Sequence, residues 1–96
     1  MNPDWFQVSN SGAVGNQYKN LMSLARDRGM LPITLRATKW IMEELVRTPL
    51  EFGESRGNLS ELDLQLRIAV VRPLTVWFAV LEPSKQVFIR AFRLKS

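Results

Sequence analysis

Leu64-Gln65-Leu66-Arg67-Ile68-Ala69-Val70-Val71, then Thr75-Val76-Trp77-Phe78-Ala79-Val80-Leu81 and Gln86-Val87-Phe88-Ile89-Arg90-Ala91-Phe92, is the stretch that decides the fold. In its first segment Leu64, Leu66, Ile68 and Val70 alternate with Gln65, Arg67, Ala69 and Val71. That period of two is the pattern of a strand with one apolar face. The second and third segments are rich in β-branched and aromatic residues, which favour a pleated surface. Val71-Arg72-Pro73-Leu74 is a break, and Glu82-Pro83-Ser84-Lys85 is a turn with Pro83 at its first central position. Two short connections in succession imply an antiparallel meander.

Upstream the period changes. Asn2-Pro3-Asp4 is a polar start, Trp5-Phe6-Gln7-Val8 reads as a first strand, and Ser9-Asn10-Ser11-Gly12 is turn chemistry. Val14, Tyr18, Leu21 and Ala25 share one helical face, so a helix is predicted from Val14 to Arg28, stopped by Gly29. Pro32 suits the approach or first turn of a second helix, with Thr34 as its expected N-cap. Ala37, Ile41 and Leu45 form that helix's apolar stripe, broadened by Trp40 and Met42, and Thr48-Pro49 ends it. Residues 50–58 carry two glycines and three charges and read as a loop; residues 59–63 read as a short turn or the start of a strand. The predicted fold is α+β, in the order β-α-α-β-β-β. A two-helix hairpin packs on one face of a mostly antiparallel four-stranded sheet, and the other face stays open.

Composition limits the chemistry. The chain has 96 residues, 46% of them apolar, which supports one domain over residues 1–96. It has no cysteine, so disulfides, thiolate metal sites and a Cys nucleophile are out. It has no histidine either, which removes the commonest general base and metal ligand. Thirteen Lys and Arg against nine Asp and Glu give a net charge of +4, which favours a polyanionic partner or serves solubility alone. No apolar run approaches the ~20 residues of a membrane span, and no secretory signal is visible, so a cytoplasmic location is expected. The carboxylates Glu43, Glu44, Glu51, Glu54, Glu61 and Asp63 read as a solvated face rather than a metal site. Gly53 and Gly57 make no phosphate loop. No cofactor is expected.

The element order resembles that of the RelE/ParE toxin superfamily. The stretch from Glu43 to Arg56, with Pro49-Leu50-Glu51-Phe52-Gly53-Glu54-Ser55-Arg56 at its end, resembles the close of that family's second helix and the loop after it. Leu66-Arg67 and Arg72-Pro73-Leu74-Thr75-Val76-Trp77-Phe78-Ala79-Val80 are similar to its central hairpin, and Lys85 to Phe92 to its closing strand. The resemblance implies a toxin of a type II toxin-antitoxin pair. Such a protein binds a cognate antitoxin and inhibits translation, by metal-independent mRNA cleavage at the ribosome, or DNA gyrase. Thr75 stands where several RNase members carry an Arg, Tyr18 is the only tyrosine, and little chain follows the last strand. Those departures point toward the ParE-like side. The alternative is a catalytically inactive interaction module or homodimer of the same fold; a general nucleic-acid-binding protein is a third reading.

If Leu64, Leu66, Ile68 and Val70 face the helices, strand alternation places Arg67, Trp77, Phe88, Arg90 and Phe92 on the open face, with Arg93 and Lys95 just beyond. Basic and aromatic groups together suit single-stranded RNA, with rings stacking on bases and guanidinium groups on phosphate. Arg67 and Arg90 are the catalytic candidates, as electrostatic stabilisers of a phosphorane. The same face equally suits burial under the N-terminal strand, an antitoxin segment or a second subunit. Trp40 reads as core or as an antitoxin contact. A slip of one residue would exchange the two faces of a strand.

Overall fold

A computed structural model of the chain describes residues 3–95; Asn2, in the polar start, and Ser96 lie outside them. The elements are β1 (Gln7–Asn10), α1 (Gly12–Asp27), α2 (Leu31–Arg47), β2 (Glu54–Leu59), a single 3-10 turn (Ser60–Leu62), β3 (Leu64–Val71), β4 (Leu74–Leu81) and β5 (Gln86–Leu94). They form an α+β fold with a five-stranded mixed sheet in the order β1-β5-β4-β3-β2. The meander from β2 to β5 is antiparallel, and β1 closes the other edge parallel to β5.

The four-stranded expectation fails at β2. Residues 54–58, read as loop, are a strand paired to β3, with a bulge between Ser55 and Gly57. Every residue of β2 is exposed, so it has no buried face to produce a period of two. What holds it is the ladder to β3. The bulge and the exposed Glu54–Arg56 ion pair (3.9 Å) blunt this outer edge against further pairing.

β1 also sits later than predicted. Ser9 and Asn10, read as turn, pair with Phe88 and Ile89, while Trp5 lies outside the strand. Phe6 enters the core, and its N–H donates to the Val46 carbonyl at 2.8 Å, fixing the approach to the sheet against the end of α2.

Ser11 caps α1: its hydroxyl accepts from the Val14 N–H at 3.2 Å. Gly29, at φ 70, takes the left-handed conformation that ends the helix. Thr34 is not the cap of α2, which begins at Leu31 with Pro32 in its first turn. Thr34 is fully buried within the helix, and its hydroxyl donates back to the Met30 carbonyl at 2.6 Å. One turn later Thr38 donates to the Thr34 carbonyl and accepts from the Tyr18 hydroxyl at 2.9 Å, which ties α1 to α2.

Ala37, Ile41 and Leu45 of α2 pack on Val76, Phe78 and Val80 of β4 and Val87 and Ile89 of β5. α1 lies on the same face, where the Tyr18 ring meets Phe92 at 5.2 Å. Trp40 does not broaden the core stripe: it is 59% exposed. Met42 is half-buried against the core. Both helices therefore cover one side of the sheet.

Candidate functional site

Registers fix which residues share a face, because directly opposed residues point the same way. Arg67 is opposite Phe78, and Ala69 is opposite Val76; both partners are fully buried under the helices. Arg67 therefore faces the helix layer, not the open face. Leu64, Leu66, Ile68 and Val70 take the open face instead, opposite Leu81, Ala79, Trp77 and Thr75. The bulky apolar residues of β3 mark its outer side. The loop before β2 crowds the inner side: a Cβ on Gly53 would lie 2.8 Å from the Ala69 Cβ and 2.1 Å from the Ile68 carbonyl oxygen. The inner positions of β3 are accordingly small at Ala69 and hydrogen-bonding at Arg67.

Arg67 is only 7% exposed, and all three of its nitrogens are engaged. Nε donates to the Phe52 carbonyl at 3.0 Å, Nη2 to the Gly53 carbonyl at 3.0 Å and Nη1 to Gln65 Oε1 at 2.6 Å. The guanidinium fork pins the 52–53 turn onto β3. It offers nothing to a phosphate on the opposite face.

Phe92 is also turned inward. A bulge in β5 sets Arg90 and Ala91 against the single Trp77, which reverses the alternation beyond it. Phe92 thus comes opposite Val76 and is 7% exposed, and Ala91, expected inward, faces out. The Phe92 N–H lies past the end of β1 and donates to Gln17 Oε1 at 2.7 Å. Of the predicted open-face set, Trp77 and Phe88 stand there, diagonal across β4 and β5, and Arg90 is exposed at the bulge. Arg93 is opposite Thr75, on the open side at the far end of β5.

That end holds a basic hollow of about 340 Å³ lined by Val70, Arg72, Pro73, Thr75, Arg93 and Lys95. The Lys95 N–H donates to the Pro73 carbonyl at 2.8 Å, which brings the chain's last basic side chains beside the β3–β4 turn. No carboxylate is in its lining. In the sequence Arg72 belongs to the break between two strands; only the pairing of β5 with β4 brings it beside Arg93.

A larger groove of about 570 Å³ runs between α2 and the end of β3. Ile33 (50% exposed), Arg36 and Trp40 stand along α2; Phe52, Gly53, Val70 and Arg72 form the opposite wall. Ile33, Arg36, Trp40 and Glu44 recur at three- and four-residue steps, an apolar-centred stripe that the core does not use. Its two arginines lie toward the start of α2 and the end of β3. Glu44 and Glu51 also line it, Glu44 two turns further along α2.

Among the described residues no group of three or more carboxylates is placed to hold a metal ion, and no helix is long and apolar enough to cross a membrane. No protein-family model, curated protein or solved structure matches the chain.

Proposed function

We propose that this chain is a toxin-like protein of the RelE/ParE type that works by holding a protein partner, a cognate antitoxin in that setting, in the groove between α2 and β3. One observation carries the reading. Trp40, a large aromatic 59% exposed on α2, stands on the lip of a ready-made groove beside half-exposed Ile33 and two guanidinium groups. A buried tryptophan is a strong binding anchor, and helix-in-groove docking reads such anchors at helical spacing. The cations Arg36 and Arg72 favour an acidic segment at that end. The helix hairpin on one sheet face and the antiparallel meander support the family reading.

In the same reading Arg72, Arg93 and Lys95 are the groups available to the target, whether ribosome-bound mRNA or DNA gyrase. They replace Arg67 as the candidates for phosphate contact, since its nitrogens already serve Phe52, Gly53 and Gln65. A second reading, an inactive interaction module of the same fold, is favoured by that engagement of Arg67.

A toxin of this type is expected to have a small acidic protein encoded beside it, and the test is calorimetric binding of that protein. The parent binds; Trp40→Glu, at an exposed site, keeps the fold and weakens binding by about 30-fold or more, the ~2 kcal/mol of a lost anchor. Equal binding by Trp40→Glu, or none by the parent, contradicts the groove as the partner site.

A further inference from the structure

The hollow at the end of the sheet is built by two distant stretches of chain. Val70, Thr75 and Arg93 form one row across β3, β4 and β5, on the open side of the sheet. Lys95 lies two residues past Arg93. Its N–H bond to the Pro73 carbonyl carries the ladder one step beyond β5, so its side chain returns to the same side. Arg72 and Pro73 close the end from the β3–β4 turn. Three cations therefore converge on about 340 Å³, within the ~300–1,000 Å³ range of small-molecule sites. Unlike Arg67, all three are exposed, and among the described residues none of their side chains makes an ion pair or a hydrogen bond. No carboxylate lines the hollow. Like charges gathered without a counter-ion repel each other, and an anion seated among them relieves that repulsion. The Thr75 hydroxyl lines the same hollow and adds a donor.

We infer that this hollow is a site for a chain of linked phosphates, a tripolyphosphate group either free or carried by a nucleoside. The inference rests on the assignment of these cations to phosphate contact made above, and not on the α2 groove or its partner. The grouping of charge selects the ligand. A strand of nucleic acid spreads about one charge per nucleotide along its length. A single phosphate group carries roughly −1.5 to −2 charges at pH 7 and leaves the three cations unbalanced. Linked phosphates bring several charges into one small volume, which three cations around one hollow can balance. Trp77 extends the site in one direction. It follows Thr75 by two residues on β4, so its ring stands on the same side about 7 Å further along the strand. A base joined to the phosphates through a sugar would reach that ring and stack on it.

Isothermal titration calorimetry of the full chain with sodium tripolyphosphate, in buffer free of divalent cations, tests this. Far-ultraviolet circular dichroism is the folding control. The parent is expected to bind with a Kd of about 10–100 μM, and to bind orthophosphate at least about tenfold more weakly. Arg93→Glu, or Lys95→Glu if the first variant fails to fold, is expected to weaken binding about 30-fold; neither residue lines the α2 groove. Arg90→Glu makes the same charge change outside the hollow and is expected to alter binding by less than about threefold. Adenosine triphosphate in the same buffer identifies the source. Tighter binding than tripolyphosphate, reduced to the same level by Trp77→Leu, assigns the site to a nucleotide; equal binding assigns it to the inorganic chain. No binding by the folded parent at ~1 mM overturns the inference. Equal weakening by Arg90→Glu and Arg93→Glu overturns it too, because the attraction then belongs to the basic surface at large. So does an oligonucleotide without terminal phosphates that binds as tightly as tripolyphosphate, which gives the hollow to a strand backbone. A parent that arrests growth yet binds no tripolyphosphate sinks this inference and leaves the proposed function standing; binding without arrest does the reverse.

Discussion

Arg67 holds its strand together rather than acting on a ligand. Two of its three hydrogen bonds stand in for the partners that the 52–53 turn would otherwise find in water, and the third holds Gln65. Hydrogen bonds to a charged group contribute about 1.5–3 kcal/mol each at most, and they are not additive here. Arg67→Ala is expected to cost about 2–4 kcal/mol, read from the urea midpoint. Arg67→Lys recovers little of it, because an ammonium cannot reach both carbonyls as a fork does. A loss under 1 kcal/mol would show that the turn holds without it. Gly53→Ala acts at the same place from the other side: at φ 73, with the Ile68 carbonyl 2.1 Å from the added carbon, it displaces the turn. Expression trials with proteolysis should find that variant unfolded or nearly so. The presence of Arg67 between apolar neighbours was legible; its direction was not. β3 has apolar residues at both parities, and its larger ones, Leu66 and Ile68, face away from the helices, so size misled the pattern.

At the scale of elements, periodicity told most where burial is one-sided. The stripes Val14-Tyr18-Leu21-Ala25 and Ala37-Ile41-Leu45 both pack on the core. β4 alternates as read, with Val76, Phe78 and Val80 buried under the helices. β2 was invisible because sheet pairing by an exposed edge strand leaves no mark in side-chain pattern. The β5 bulge was invisible because a register shift is set by cross-strand geometry, and it sent Phe92 inward while leaving Arg90 out. Two variants separate packing from linkage among these elements. Phe78→Ala, at the centre of the core and stacked with Phe52 at 5.9 Å, is expected to cost about 3–5 kcal/mol in chemical denaturation. Tyr18→Phe keeps the contact with Phe92 and loses only the bond to Thr38, so about 1 kcal/mol is expected. A larger loss for Tyr18→Phe than for Phe78→Ala would mean that the hydroxyl link between α1 and α2, not the core, dominates the stability.

For the whole molecule, the helix layer and the sheet leave three surfaces with different chemistry. The α2 groove is aromatic with charge of both signs, the open sheet face is apolar, and the end of the sheet is basic. The net charge of +4 gave no hint that Arg72, Arg93 and Lys95 meet at one hollow, since they come from two distant stretches of chain. The groove was likewise hidden: Trp40 reads as core or as a partner contact until the helix's rotation against the sheet is known. The RelE/ParE reading makes its most direct claim on a living cell. Growth is to be followed after tightly controlled induction of the chain, beside an Arg72→Glu, Arg93→Glu, Lys95→Glu variant whose fold is verified. The account predicts arrest by the parent and normal growth with the variant. Normal growth with soluble, folded parent, or equal arrest by both, would contradict it.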